Sequence, residues 1–261
     1  MKKKKLDLSR RKLLMSAAQA TGILLLSGCE KVFNGLQQNE KFLSLMESAE
    51  GVNRRLQRLL TGKNKLAQEF TERDISRYFK ANGNPPPMTM DYRADAASQW
   101  ESWRLKVFGL VRQPMTLSLA EIKLMPARTQ ITRHDCVEGW SAIAKWKGVR
   151  LEQIMHRVQP QAQAKYVVFH CMDTDEEGNA YYESIDLDDA VHPQTVLAYE
   201  MNDRLLPVQH GAPLRLRIEN QLGYKHAKYI HALEFVADLK KIRQGKGGYW
   251  EDQGYEWYAG I

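Results

Sequence analysis

Hydrophobic positions recur along this chain with two different periods. Over residues 30–60, Leu36, Phe42, Leu45, Met46, Leu56, Leu59 and Leu60 fall near every third or fourth place among Lys, Glu and Arg. That spacing predicts amphipathic helices, with a break at Gly51. Thr71-Glu-Arg-Asp predicts another helical turn leading toward Ile75, Tyr78 and Phe79. Asn82-Gly-Asn-Pro-Pro-Pro87 then stops helix, because proline fixes φ and has no N–H to donate; an extended polyproline-type stretch follows. From Trp103 the period shortens to two, and Trp103-Arg-Leu-Lys-Val-Phe-Gly109 predicts a half-buried strand.

Beyond it, Ser118 and Glu121 fit a capping box opening a short helix that Pro126 ends. A strand runs to His134, and Leu151–Val158 is a short amphipathic helix closed by Pro160. Tyr166–Cys171, Tyr181–Ile185, Thr195–Tyr199 and Ile230–Phe235 carry the β-branched and aromatic content of strands. Asp186–His192 reads as a turn or helix with an acidic start. Leu214-Arg-Leu-Arg-Ile-Glu219 alternates cleanly, between the loops Pro207–Pro213 and Gly223–Lys228. Gly245–Ile261 reads as irregular chain pinned by its Trp and Tyr residues. Short strands with brief helices between them predict an α+β domain over 86–261, preceded by a helical adapter over 29–85.

Charge narrows the partners. The formal net charge is +7, but residues 1–28 hold seven basic side chains and one acidic one, leaving the remainder close to neutral. A nucleic-acid binder keeps its basic field in the folded domain, so that class is set aside. The same segment reads as a leader: lysines, then Ser9-Arg10-Arg11-Lys12-Leu13-Leu14, then a modestly apolar run too short for a membrane span. The paired arginines resemble a twin-arginine export signal, and Leu26-Ser-Gly-Cys29 resembles a lipoprotein cleavage box. These likenesses imply a periplasmic protein anchored to a membrane through lipidated Cys29. Cys136 and Cys171 then remain, too few for a disulfide framework. Cys171 sits in an apolar strand and reads as core.

Cys136 is the candidate for chemistry. It lies in Thr132-Arg-His-Asp-Cys-Val-Glu-Gly-Trp-Ser141, without the neighbouring cysteine that a zinc or Cys-x-x-Cys site needs. A plain buried thiol is one reading. Against it stand Arg133 and His134, able to stabilise a thiolate, and Trp140 and Trp146, able to wall a pocket. A thiolate is also a soft metal ligand.

The Cys136 segment, His210-Gly-Ala-Pro-x-Arg215 and Gly223-Tyr-Lys-His-Ala-Lys228 follow one another in this order. Together they resemble the molybdopterin-binding oxidoreductase domain of the sulfite oxidase superfamily. The likeness runs from about Trp103 to Phe235 and is nearest to the exported catalytic subunits of bacterial methionine sulfoxide reductase systems. It implies a sulfite-oxidase-type fold and a molybdenum-molybdopterin cofactor, with Cys136 as the one protein thiolate on the metal. Arg133 would act beside that centre. His210, Gly211, Arg215, Tyr224, Lys225 and Lys228 would hold the cofactor, the cations answering its phosphate and the glycines allowing close backbone approach. The reaction implied is two-electron oxygen-atom transfer. Reduction of an S-oxide or N-oxide, such as an oxidised methionine, is favoured over oxidation of a small anion such as sulfite.

Departures from the family pattern bear on substrate. Asp135 stands where the methionine sulfoxide reductase subunit has a basic residue, and an acid there repels anions. The Cys-x-Gly-Asn pattern of sulfite oxidases is absent, and the Asn-aromatic-x-Glu pterin contact has only a faint echo in Tyr78-Phe-Lys-Ala-Asn82. No Cys-x-x-Cys-His haem attachment occurs, so electrons would come from a separate partner such as a haem protein. The chain leaves no room for the immunoglobulin-like dimerisation domain of larger relatives, which implies a monomeric catalytic unit. Two other classes compete: an exported binding or scaffold lipoprotein on the same fold, and a Cys-His hydrolase with His134, His210 or His226 as base.

Overall fold

The computed structural model describes residues 65–261. The leader, Cys29 and the helices expected over 30–60 lie outside the described residues. In chain order the elements are α1 (Met90–Ala97), β1 (Arg104–Gly109), β2 (Met115–Ser118), α2 (Leu119–Lys123), β3 (Ala127–Asp135), β4 (Ser141–Arg150) and α3 (Leu151–Val158). Then come β5 (Tyr166–Thr174), β6 (Ala180–Asp186), α4 (Leu187–Ala190), β7 (Val196–Met201), β8 (Arg204–Leu205), β9 (Arg215–Arg217), β10 (Ile230–Val236) and α5 (Tyr249–Asp252).

They build two five-stranded sheets, and the fold is α+β as expected. The first has the order β2-β1-β10-β5-β6, with β1 and β10 parallel and the other pairs antiparallel. The second runs β3-β4-β7-β8, and β9 also pairs with β7. One apolar cluster draws on both: Leu105, Phe169 and Phe235 from the first sheet, Trp146, Val149 and Leu197 from the second. Each such side chain, buried completely, is worth roughly 1.5–3 kcal/mol. Within the second sheet, β4 and β7 approach closely at Gly148, where an added Cβ would stand 2.2 Å from the Leu197 carbonyl oxygen.

Local signals account for the short helices. Ser118 caps α2 by accepting from the Glu121 N–H at 3.2 Å, while Glu121 accepts from the Ser118 N–H at 2.7 Å. Asp186 caps α4 through the Asp189 N–H at 2.9 Å. Two expectations are corrected. The helical turn at Thr71 is one 3-10 turn, Glu72–Asp74, because the flanking chain spends its backbone donors on the second sheet: Phe70 on Ile131 at 2.8 Å and Ser76 on Ile143 at 3.0 Å. The alternating Leu214–Glu219 stretch has no solvent face: β9 is buried at all three positions, and Arg215 and Arg217 are both 0% exposed.

Candidate active site

The alternation of β3 sends Gln130, Thr132 and His134 inward and Arg133 outward. The strand ends at Asp135, and the next residue, Cys136, starts a tight turn that carries its thiol to a pocket. The Cys136 N–H donates to the Trp140 carbonyl at 2.9 Å, and the Gly139 N–H donates back to the Cys136 carbonyl at 3.0 Å, with Gly139 at φ 85°. The pocket is a small cleft of about 110 Å³. Cys136, Asn82, Asp173, Gly223, Tyr224 and Lys228 are among its lining residues. Partial burial pushes the Cys136 thiol up, against the lowering hydrogen bond from the Glu138 N–H. A neutral thiol is a poor nucleophile, and a bound cation is what would deprotonate it.

Behind the cysteine stands a buried basic cluster. Arg217 is neutralised by Glu219 at 2.5 Å and donates to His134 Nδ1 at 3.0 Å. A guanidinium cannot accept, so neutral His134 carries its proton on Nε2. That Nε2 is buried without a hydrogen-bond partner, against Gly223, where an added Cβ would come within 2.5 Å of it. Burial, reinforced by His226, Arg217, Arg215 and His210, pushes His134 well below the usual imidazole range. Arg215 differs from Arg217. It donates to the His210 carbonyl and to Asn82 Oδ1, both at 3.1 Å, leaves Nε unpaired, and has no carboxylate partner among the described residues. Burial, with Arg217 adding, lowers it to about 9. Both guanidiniums lie over Trp146, at 5.5 Å for Arg215 and 4.4 Å for Arg217.

The remaining anticipated residues divide. Gly211 has φ 108° and packs against Lys228, whose Cβ would be 2.8 Å from an added Cβ. His210 is buried edge-on to Phe79 and held down to about 4 by burial, with Arg215 and Lys228 adding. Lys228 lines the pocket, its Nζ donating to the Asn84 carbonyl at 2.7 Å. Burial lowers it to about 8, and burial raises the nearby Asp173 to about 7. Tyr224 lines the pocket and donates to the Glu256 carbonyl at 2.7 Å. Two do not join them. Lys225 is fully buried but committed to Glu183 and Glu251. Arg133 is 54% exposed and paired with Asp135 at 2.9 Å, while Asp135 also accepts from Ser141 at 2.5 Å. The acid beside the cysteine is thus neutralised.

Sequence reasoning missed several residues here. Phe79 is the hub of the site's aromatic packing, within 5.5 Å of His134, Trp146 and His210. Asn82 holds Arg215, and Asp173 has an unpaired buried Oδ1. Only the faint motif echo over Tyr78–Asn82 signalled the first two.

The family model for the oxidoreductase molybdopterin binding domain matches residues 92–242. The "Putative protein-methionine-sulfoxide reductase subunit YedZ1" of Azospira oryzae is 38% identical over 97% of this chain and 88% of its own length. The protein-methionine-sulfoxide reductase catalytic subunit MsrP of Xanthomonas campestris is 34% identical over 67% of this chain, which spans only 58% of that protein. The sulfane dehydrogenase SoxCD of Paracoccus pantotrophus superposes on 53% of this chain and 39% of its own, at 18% identity and a TM-score of 0.48. The chain belongs to the molybdopterin-binding oxidoreductase domain family, and its described part is an oxidoreductase-type domain related to the methionine sulfoxide reductase catalytic subunits.

The residues present fit the cofactor. Arg215 is a fully buried cation with no carboxylate ion pair among the described residues, His134 Nε2 is a buried donor lacking an acceptor, and Lys228 lines the same pocket as the Cys136 thiol. Among the described residues no group of three or more His, Cys, Asp or Glu could hold a metal ion. A centre whose other sulfur ligands come from an organic cofactor needs one thiolate only.

Proposed function

We propose that this protein is a molybdenum-molybdopterin enzyme that reduces an S-oxide, a methionine sulfoxide being the preferred type. The carrying observation is that the pocket thiol Cys136 belongs to a domain that also holds the fully buried Arg215, which donates only to neutral acceptors and makes no carboxylate ion pair among the described residues. When bound, the cofactor supplies two-electron oxygen-atom chemistry at molybdenum. The chain's own residues do the rest. Cys136 would ligate the metal; Arg215, Lys228 and the His134 N–H would hold and orient the cofactor; Phe79 and Trp146, packed at its back, would exclude water. Overall, one sulfoxide takes up two electrons and two protons, its S–O bond breaks, and one thioether and one water leave.

Charge supports an S-oxide over sulfite. The exposed cations beside the cysteine loop are already spent, Arg133 on Asp135 and Lys80 on Glu138 at 2.7 Å. An anion gains little there, whereas a neutral dipolar oxide loses nothing. The hydrolase reading finds no support in a thiol pushed up by burial.

The word "subunit" in the relatives' names supports a partner subunit, and in this reading that partner is a separate one-electron donor such as a haem protein. In the wider reading residues 1–28 direct twin-arginine export, Cys29 anchors the protein to a membrane in the periplasm, residues 29–85 form the adapter and residues 86–261 the catalytic domain. The test is turnover of the holoenzyme with reduced viologen and methionine sulfoxide, beside sulfite with ferricyanide. Viologen oxidation far above the sulfite rate is expected. Sulfite oxidation with no S-oxide turnover would reverse the assignment.

A further inference from the structure

The family match stops at residue 242, but the pocket does not. Its outer wall is completed by Trp250 and Tyr255, from the tail beyond the matched region. That tail is fixed at several points. Glu251 shares the buried Lys225 with Glu183, Asp252 accepts from the Tyr182 hydroxyl at 2.6 Å, and the Tyr249 hydroxyl donates to Asp175 at 2.8 Å. Further along, Trp257 Nε1 donates to Ser184 at 2.8 Å, and Gly260 bridges to Gln221. Pinned on both sides, the Trp250 and Tyr255 rings lie 5.2 Å apart and 30° from parallel, and Tyr255 meets Tyr224 edge-on at 5.2 Å.

Tyr255 is 38% exposed and Val137, on the cysteine loop, is 48% exposed, so the pocket opens to the surface between apolar groups. The charged side chain on that rim, Glu138, is occupied by Lys80 and by the Trp140 N–H. The mouth is aromatic and locally neutralised, although the cluster behind it is basic.

We infer that Trp250 and Tyr255 form a specificity wall, supplied by the tail, that holds the apolar arm of a thioether oxide while its oxygen faces the Cys136 side. This rests on the S-oxide reading and adds to it the residues that select the substrate. Methyl and methylene groups flanking sulfur pack favourably on aromatic faces. Sulfite has no such arm to bury. The exposed rim lets a methionine sulfoxide side chain enter while its own backbone stays outside.

The test uses the holoenzyme and its Trp250→Ala, Trp250→Phe and Tyr255→Ala variants. Substrates are N-acetyl-methionine sulfoxide amide and dimethyl sulfoxide, and the non-reducible methionine sulfone amide is titrated by calorimetry. Trp250→Ala is expected to raise KM for the amide and Kd for the sulfone about tenfold, the size that loss of an apolar contact produces. Its kcat should stay within about twofold, the pattern of lost uniform binding. Tyr255→Ala, at an exposed ring, should do the same more weakly, Trp250→Phe should recover most of the loss, and dimethyl sulfoxide should suffer less than the amide. Unchanged KM and Kd in both alanine variants, with wild-type turnover intact, would overturn the wall while leaving the S-oxide reading standing. Absence of wild-type turnover on either oxide, with molybdenum bound, would remove that reading and the wall with it.

Discussion

Arg215 is the residue at which stability and function conflict most directly. A guanidinium at 0% exposure with two neutral acceptors and no carboxylate among the described residues is costly to keep charged, and burial, with Arg217 adding, lowers it to about 9. Neighbouring Arg217, with its own Glu219, carries no such cost. Arg215→Met is therefore expected to leave the melting temperature of the cofactor-free protein unchanged or raised. The same variant should retain less than about a tenth of the wild-type cofactor, the loss expected when an anion's charge-assisted hydrogen bonds are removed. Calorimetry and pterin analysis of one preparation check both; a drop in cofactor-free stability with normal pterin content would make Arg215 structural. Cys136 and Lys228 drew notice in the sequence because they stand in Gly-containing loops, and Arg215 because it follows His210-Gly-Ala-Pro at the start of β9. The partners of Lys225 were not legible: Glu183 and Glu251 are 42 and 26 residues away, and no local pattern announces them. Asn82 and Asp173 were equally silent.

Among the elements, the Lys225 triad ties three together. It joins the 3-10 turn Gly223–Lys225 to β6 and α5, so the pocket wall, an edge strand and the tail share one buried charge network. Lys225→Met strands two carboxylates in the interior and is expected to cost about 3–5 kcal/mol at pH 8. Burial, then Glu251, already raises Glu183 well above the usual carboxylate range. A carboxyl whose folded pKa is raised favours the folded state at low pH and loses that advantage as pH rises. The deficit of the variant should accordingly shrink between pH 8 and pH 5, as urea unfolding at both would reveal; a deficit equal at the two would show that lost packing, not charge, sets it. Most strands and the capped helices α2 and α4 were readable from alternation and capping. Helix α1 was not, because its residues form no apolar stripe and Tyr92 alone is buried. The short strand β9 looked amphipathic only because its buried arginines mimic a polar face.

At the scale of the whole molecule, the family-matched region is extended by two segments that complete its site. Residues 65–85 supply Phe79 and Asn82, and the tail supplies Trp250 and Tyr255. The sequence indicated a helical adapter and an irregular end, and nothing in their local patterns indicated that both reach the pocket. What they surround is the thiol of Cys136. The most direct measurement is molybdenum and pterin per chain in the full-length protein, expressed with its own first 28 residues in cells that make the cofactor, beside Cys136→Ser. Close to one molybdenum and one pterin per wild-type chain is expected, with molybdenum lost or its spectrum altered in Cys136→Ser while the far-UV circular dichroism stays unchanged. A wild-type protein folded and free of molybdenum in such cells, or a serine variant with full occupancy and an identical spectrum, would contradict the assignment of Cys136 as the metal's protein ligand.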